Sequence, residues 1–294
     1  MYCRSNEQFK VEPIKVVIFY FSGTGNTWWA AQTLAVKLRE NNASVKVLSL
    51  ESEKVQMQRK LEQILVEADV LGIGYPIYGS DCPGLVKEFL KQRLPKGNRK
   101  AAFVFTTMML FSGDGAMVAA RMLRKKGYKV NQAINIKMMN NIRLPYLVLR
   151  SLPIINEKEN TKLKQKAEEK IVRLAANILA GKKWLQGRDP FNIAGGLMQR
   201  VPMKILKPAV FAKYFFVDKE SCTQCMQCVD YCPTNNILFA EGEFHFGGNC
   251  IACFRCYNLC PENAIQHKKG TLNRERFPRY KGPGNGFTIA KLKE

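Results

Sequence analysis

At 294 residues and 33.4 kDa, with 46% hydrophobic side chains, the chain can bury a sizeable core and suits one large domain or two smaller ones. Its formal net charge of +22 invites a nucleic-acid reading, but no zinc-finger, basic-zipper or RNA-motif signature accompanies that charge. No apolar run approaches the roughly 18 residues needed to span a bilayer, and the polar residues 1–11 lack the basic-then-apolar order of a signal peptide.

In chain order, strand-like runs are expected at residues 14–21, 44–49, 70–74, 101–106 and 130–138. They are continuous apolar runs rather than alternating ones, as strands covered on both faces require. Helices are expected at 26–40, 55–67, 84–91, 116–126 and 160–180. Strands alternating with helices of this length imply right-handed crossovers and a parallel α/β sheet over residues 12–181. Residues 182–217 are apolar and basic, and Pro190, Gly195, Gly196, Pro202 and Pro208 are expected to break them into short pieces. This linker either packs against a neighbouring domain or offers a basic, amphipathic surface to a membrane or partner. A small domain at 218–267 follows. The basic tail, 268–294, is expected to wrap the surface or be partly disordered, with Arg279-Tyr280 as its anchor.

The first strand runs into Ser22-Gly23-Thr24-Gly25-Asn26-Thr27 and then a helix. Such a turn aims backbone N–H groups and the helix dipole at one point, which suits a phosphate. Ser22, Thr24 and Thr27 add hydroxyls, Asn26 adds an amide, and Gly23 and Gly25 allow close backbone approach. Neither the P-loop nor the dinucleotide fingerprint is present. The run resembles the FMN phosphate loop of flavodoxins. Two later segments agree: Gly74-Tyr75-Pro76-Ile77-Tyr78-Gly79, after the third strand, and the run from Thr106 through Met108, Met109, Leu110 and Phe111 to Ser112-Gly113-Asp114, after the fourth. The resemblance covers residues 14–180. It implies FMN as cofactor, a strand order of 2-1-3-4-5, and flavin contacts from Pro76, Ile77, Tyr78, Gly79, Thr106, Ser112, Gly113 and Asp114.

Residues 222–260 repeat one cysteine pattern twice: Cys222, Cys225, Cys228 and Cys232, then Cys250, Cys253, Cys256 and Cys260, each run closed by a proline. C-x2-C-x2-C-x3-C-P is the spacing of bacterial two-cluster ferredoxins. Structural zinc is the alternative, but zinc sites pair two C-x2-C units across a longer gap. Cysteines in metal-ligand spacing point to a reducing, cytoplasmic setting rather than to disulfides. Carried over from the resemblance, the fourth cysteine of each run serves the other 4Fe-4S cluster: Cys222, Cys225, Cys228 and Cys260 hold one, and Cys250, Cys253, Cys256 and Cys232 the other. Cys3, Cys82, His245 and His267 are expected to be ordinary side chains, as are Trp28 and Trp29. As a whole the chain resembles the fused flavodoxin–ferredoxin proteins of anaerobic microbes.

The charge is uneven: residues 1–150 carry a net +12, 182–217 +6, 218–267 −4 and 268–294 +6. The basic flanks offset cluster charge and bound anions, or dock an acidic redox partner or an anionic membrane. The leading expectation is an electron-transfer protein relaying electrons between FMN, two 4Fe-4S clusters and an external redox partner. The alternative is an FMN-dependent reductase of a small organic substrate fed by the clusters, with no catalytic residue assigned. A non-enzymatic redox sensor or assembly partner is the third reading.

Overall fold

The computed structural model describes residues 12–147, 149–152, 157–206, 208–284 and 286–294; Cys3 lies outside them. Strands β1 (Lys15–Tyr20), β2 (Ser44–Ser49), β3 (Val70–Pro76), β4 (Ala101–Met108), β5 (Lys129–Lys137) and β6 (Trp184–Leu185) form one sheet in the order β2-β1-β3-β4-β5-β6. Every pairing in it is parallel. The expected five-strand order is therefore present, with a short sixth strand added at the β5 edge.

The apolar runs are strands because both sheet faces are covered. Val16, Ile18 and Tyr20 of β1 face one layer, helices α1 (Asn26–Arg39) and α6 (Glu157–Leu179). Val17, Phe19 and Phe21 face the other, which includes α3 (Gln58–Glu67), α4 (Gly84–Glu88) and α5 (Gly115–Lys125). Gly72 and Gly74 on β3 leave room for the rings of Phe103 and Phe105 on β4, and a Cβ at either glycine would sit 2.3 Å from a ring carbon. The helix expected over 55–67 is split at Met57, whose extended backbone separates α2 (Glu53–Gln56) from α3. After α4 the chain continues as one π-helical turn, Phe89–Arg93.

Residues 182–217 differ from expectation. Trp184–Leu185 joins the sheet as β6, and Pro190–Leu206 is one continuous helix, α7, with Pro190 at its first position and Pro202 inside it. A proline at a helix start has no N–H to satisfy there. A 3-10 segment, Pro208–Tyr214, leads into β7 (Phe215–Val217).

The second domain is built on β7 paired antiparallel with β10 (Ile265–His267), a hairpin of β8 (Ile237–Ala240) and β9 (Glu243–Phe246), and short helices α8 (Gln227–Asp230) and α9 (Arg255–Leu259). Its core centres on Phe215, Phe254, Tyr257 and Ile265. His267 is fully buried inside this aromatic box, with the Phe215 ring centroid 4.8 Å away. The tail then returns to the first domain. Phe287 packs on Trp28, Leu292 is fully buried, and the Ser49 N–H donates to Glu294 O at 2.7 Å.

Candidate functional site

The carboxyl ends of β1 and β3 mark the topological switch point of the sheet, where open α/β sheets bind ligands. A cleft of ≈ 460 Å³ lies there. Ser22, Gly23, Thr24, Asn26 and Thr27 line one end. The loop is held open by its own bonds: the Gly25 N–H donates to Ser22 Oγ (3.0 Å), and Gly25 takes a left-handed φ of 104°. Thr27 Oγ1 lies 2.8 Å from Thr107 Oγ1. Asn141 Nδ2 donates to Thr24 Oγ1 (2.7 Å), and Asn26 Nδ2 donates to Met139 O (3.1 Å). The first turn of α1 carries no acidic residue to compete for its positive end.

Pro76, Ile77, Tyr78 and Gly79 line the cleft from the β3 loop, and Met108, Met109, Leu110 and Phe111 from the β4 loop. The remaining wall, from Met138 to Ile142 with Leu149, Leu152 and Gln199, carries no motif in the sequence. Five expected contact positions fall outside the lining. Gly25 is covered by Pro283 and Phe287 of the tail. Thr106 is fully buried and donates to Asn135 Oδ1 (2.8 Å). Ser112 is buried, its hydroxyl donating to Gly113 O (3.4 Å), and Gly113 and Asp114 instead seat helix α7: a Cβ on Gly113 would meet Gly196, and buried Asp114 pairs with Arg200 (2.6 Å) as well as with Arg121 of α5 (2.5 Å).

The residues present fit FMN. Hydroxyls and a helix N-terminus gather at one end, next to Tyr78, and the apolar residues Met108 to Phe111 line the rest of the cleft. The Tyr78 hydroxyl is buried without a hydrogen-bond partner, and burial, followed by the nearby Cys253, raises its pKa well above the ordinary phenol range.

The eight cysteines fall into two groups. One cavity is lined by Cys222, Cys225, Cys228, Cys256 and Cys260, and another by Cys232, Cys250, Cys253 and Cys256, so that Cys256 borders both. Burial first, then Cys260, Cys222 and Cys225, pushes the Cys228 thiol up to about 12. Burial likewise pushes Cys253 up to about 12, against the pull of Arg255. Buried thiols such as Cys228 and Cys253 would ionise only beside compensating positive charge, which a bound iron–sulfur cluster would supply. The backbone repeats as the sequence does: Gln224, Met226 and Asn235 are left-handed (φ 52°, 57° and 48°), and so are Ala252, Phe254 and Asn263, each 28 positions later (φ 54°, 54° and 53°). These turns aim N–H groups at sulfur. Asn236 donates to Cys232 Sγ and Ala264 to Cys260 Sγ, both at 3.2 Å. Such bonds tune cluster potentials. Among the described residues no group of three or more His, Cys, Asp or Glu is placed to hold a single metal ion.

Comparison with known families decides the class. Residues 17–143 match the model of a flavodoxin domain, and residues 214–264 match that of a 4Fe-4S dicluster domain. The chain is a flavodoxin–ferredoxin fusion. FMN and 4Fe-4S clusters are the cofactors of these two domains. No curated protein matched the fusion significantly. Among solved structures it is similar to two-electron reduced Megasphaera elsdenii flavodoxin (23% identity, 52% of this chain, 98% of that one, TM-score 0.37). It is also similar to rubredoxin oxygen:oxidoreductase from Desulfovibrio gigas (22% identity, 57% of this chain, TM-score 0.38), of whose length it covers 38%. A protein described as flavone reductase matches over 83% of this chain and 87% of its own, at 12% identity and a TM-score of 0.40.

In the fusion the two domains meet at the phosphate loop, through a residue that the motifs do not mark. Arg255, between Cys253 and Cys256, is 1% exposed, and all five of its N–H donors are used. Nε donates to Gly23 O (3.0 Å), and Nη2 donates to Ser22 O (2.8 Å) and Glu51 Oε1 (2.6 Å). Nη1 donates to Glu51 Oε2 and Tyr231 O, each at 2.7 Å. A Cβ on Gly23 would lie 2.7 Å from the Tyr78 hydroxyl and 2.9 Å from Cys253 O. The loop carrying Cys253 thus rests directly on the Ser22–Thr27 loop.

Proposed function

We propose that the fusion is an electron-transfer protein in which the cysteine set of 232, 250, 253 and 256 faces the flavin cleft and the set of 222, 225, 228 and 260 faces an external redox partner. When bound, FMN supplies exchange between two-electron and one-electron chemistry, and each 4Fe-4S cluster supplies one-electron steps. One observation carries the order: Cys253 packs against Gly23 and Tyr78 of the flavin cleft. At the far side, Cys225 is exposed. The chain's own residues do the positioning. Ser22 to Thr27 bind a phosphate, Met108 to Phe111 exclude water, Pro76 to Gly79 wall the ring slot, and Arg255 fixes one domain on the other. Fusion replaces a diffusional encounter with a permanent one. Cysteines set in cluster-ligand spacing rather than in disulfides support a reducing, cytoplasmic setting.

The test compares Cys253→Ala with Cys228→Ala after anaerobic purification. Each is expected to lose about four of eight irons and keep its flavin. Cys253→Ala should abolish flavin reduction by an external one-electron donor. Cys228→Ala should slow entry from that donor while flavin and the remaining cluster still equilibrate. Unchanged flavin reduction in Cys253→Ala would overturn the order.

A second reading, an FMN-dependent reductase fed by the clusters, is favoured by the apolar cleft wall of Met108, Met109, Leu110, Leu149 and Leu152. Saturating turnover of one quinone, enone or nitro compound would support it, and failure across all three classes would count against it.

A further inference from the structure

Helix α7 is inside out. On an ordinary surface helix the apolar stripe faces the core and the polar face meets water. In α7 the protein-facing side carries polar bonds as well as the apolar Met203, which packs on Gly79: Arg200 pairs with buried Asp114 and donates to Ser80 O (3.0 Å), and Gln199 Oε1 accepts from Ser80 Oγ (2.6 Å). Gly195 and Gly196 allow close contact with Phe111 and Asp114. The outer face holds Phe191 (78% exposed), Leu197 (51%), Met198 (76%), Val201 (52%) and Ile205 (75%). At about 100° per residue these five fall within an arc of about 120°, along a helix about 26 Å long.

We propose that α7 is an interfacial helix that seats the fusion on an anionic lipid surface beside the flavin cleft. The chemistry selects this occupant. The outer arc contains no hydrogen-bonding side chain, whereas protein interfaces interleave polar groups with apolar ones. Residues 182–217 hold seven Lys/Arg and one acid, Asp189, which is engaged by the Asn192 N–H and side chain. Lys182, Lys183, Arg188 and Lys213 are exposed on either side of the helix in sequence. An apolar face flanked by basic residues lies in the headgroup plane, and each cation near an anionic surface adds to binding. The helix does not cross the bilayer: among the described residues none is long and apolar enough to do so. The patch reaches the cleft, because Phe191 touches Phe111 (centroids 6.4 Å apart) and Leu110 is exposed beside it. The proposal stands independently of the relay order.

The test is co-sedimentation of the full-length, cofactor-loaded protein with vesicles of phosphatidylcholine alone or mixed with phosphatidylglycerol. Binding is expected only to the mixed vesicles, and it should fall as salt rises. Met198→Glu/Ile205→Glu should weaken it about tenfold or more. Val66→Glu, at a position 83% exposed on α3, should leave it unchanged. Retained flavin and iron report that each variant is folded, and Met198→Trp should show blue-shifted emission on the mixed vesicles. No binding to mixed vesicles, equal binding to neutral ones, or a lipid-free dimer abolished by Met198→Glu/Ile205→Glu would each overturn the proposal, the last by assigning the face to a second copy.

Discussion

The guanidinium of Arg255 and the carboxylate of Glu51 form a two-point ion pair, at 2.6 and 2.7 Å, across the boundary between the ferredoxin and flavodoxin domains. Both side chains are almost wholly withdrawn from water. A buried pair of this kind contributes little net energy against an apolar replacement, but removing one partner leaves the other charge stranded. Arg255→Met should therefore destabilise the protein by about 3–5 kcal/mol, and adding Glu51→Gln should recover part of that loss. Urea unfolding of the anaerobic, cofactor-loaded proteins measures both. A loss below about 1 kcal/mol in the single variant would show that the pair does not join the domains.

Gly23 has no room for a methyl group, which would press on the Tyr78 hydroxyl and on Cys253 O at once. Backbone and a buried ring cannot both give way cheaply, so Gly23→Ala should cost about 1–3 kcal/mol. Flavin titration of the apoprotein should show the dissociation constant rising by about five-fold to a hundred-fold at that cost. Unaltered affinity would mean that the loop and the second domain part easily.

His267 gives a pH signature. Burial first, then Lys268, lowers its pKa from 6.5 to about 4. The unfolded chain therefore binds a proton that the folded chain refuses between those values. The folded state is fully favoured above about pH 6.5 and loses stability as pH falls toward 4, by up to about 3 kcal/mol. His267→Phe keeps the aromatic packing and removes this proton. The difference in urea midpoint between variant and wild type should thus favour the variant increasingly from pH 6.5 to 4. A difference independent of pH would show that His267 is solvated in the folded protein.

The tail is pinned by Tyr280, whose hydroxyl donates to Asn26 Oδ1 (2.5 Å) and whose N–H donates to Asn258 Oδ1 (3.0 Å). Tyr280→Phe removes one bond at the mouth of the phosphate loop and leaves a buried amide oxygen without its donor. A loss of about 1–3 kcal/mol is expected. It should be accompanied by faster flavin release in stopped-flow displacement. Release at the wild-type rate would separate the tail from the flavin site.

The cofactor motifs were legible because their constraints are local. A phosphate loop needs only a strand end, small hydroxyl residues and a helix start. A cubane ligand set needs fixed short spacings, and Cys222 to Cys260 display them. What the sequence concealed depends on partners far along the chain. Asp114 reads as a ring-loop acid until Arg200, 86 residues later, is seen to claim it. Arg255 reads as filler between ligands until Glu51 appears beside it. Pro202 and the Gly195-Gly196 pair read as helix breakers, yet α7 keeps its form because the glycines permit contact with Phe111 and Asp114. The sixth strand is two residues long, too short for any periodicity to register.

The returning tail also bears on how the protein is made. Residues 287–294 close over β1, β2 and α1 of a domain whose strands were synthesised first: Tyr20 Oη donates to Lys291 O, and Ser49 Oγ to Leu292 O. At about 5–20 residues per second, the first domain waits on the ribosome with its phosphate loop uncovered while both cysteine runs emerge. The nascent chain can therefore admit flavin before the loop is capped, and capping completes only after all eight cysteines have left the ribosome.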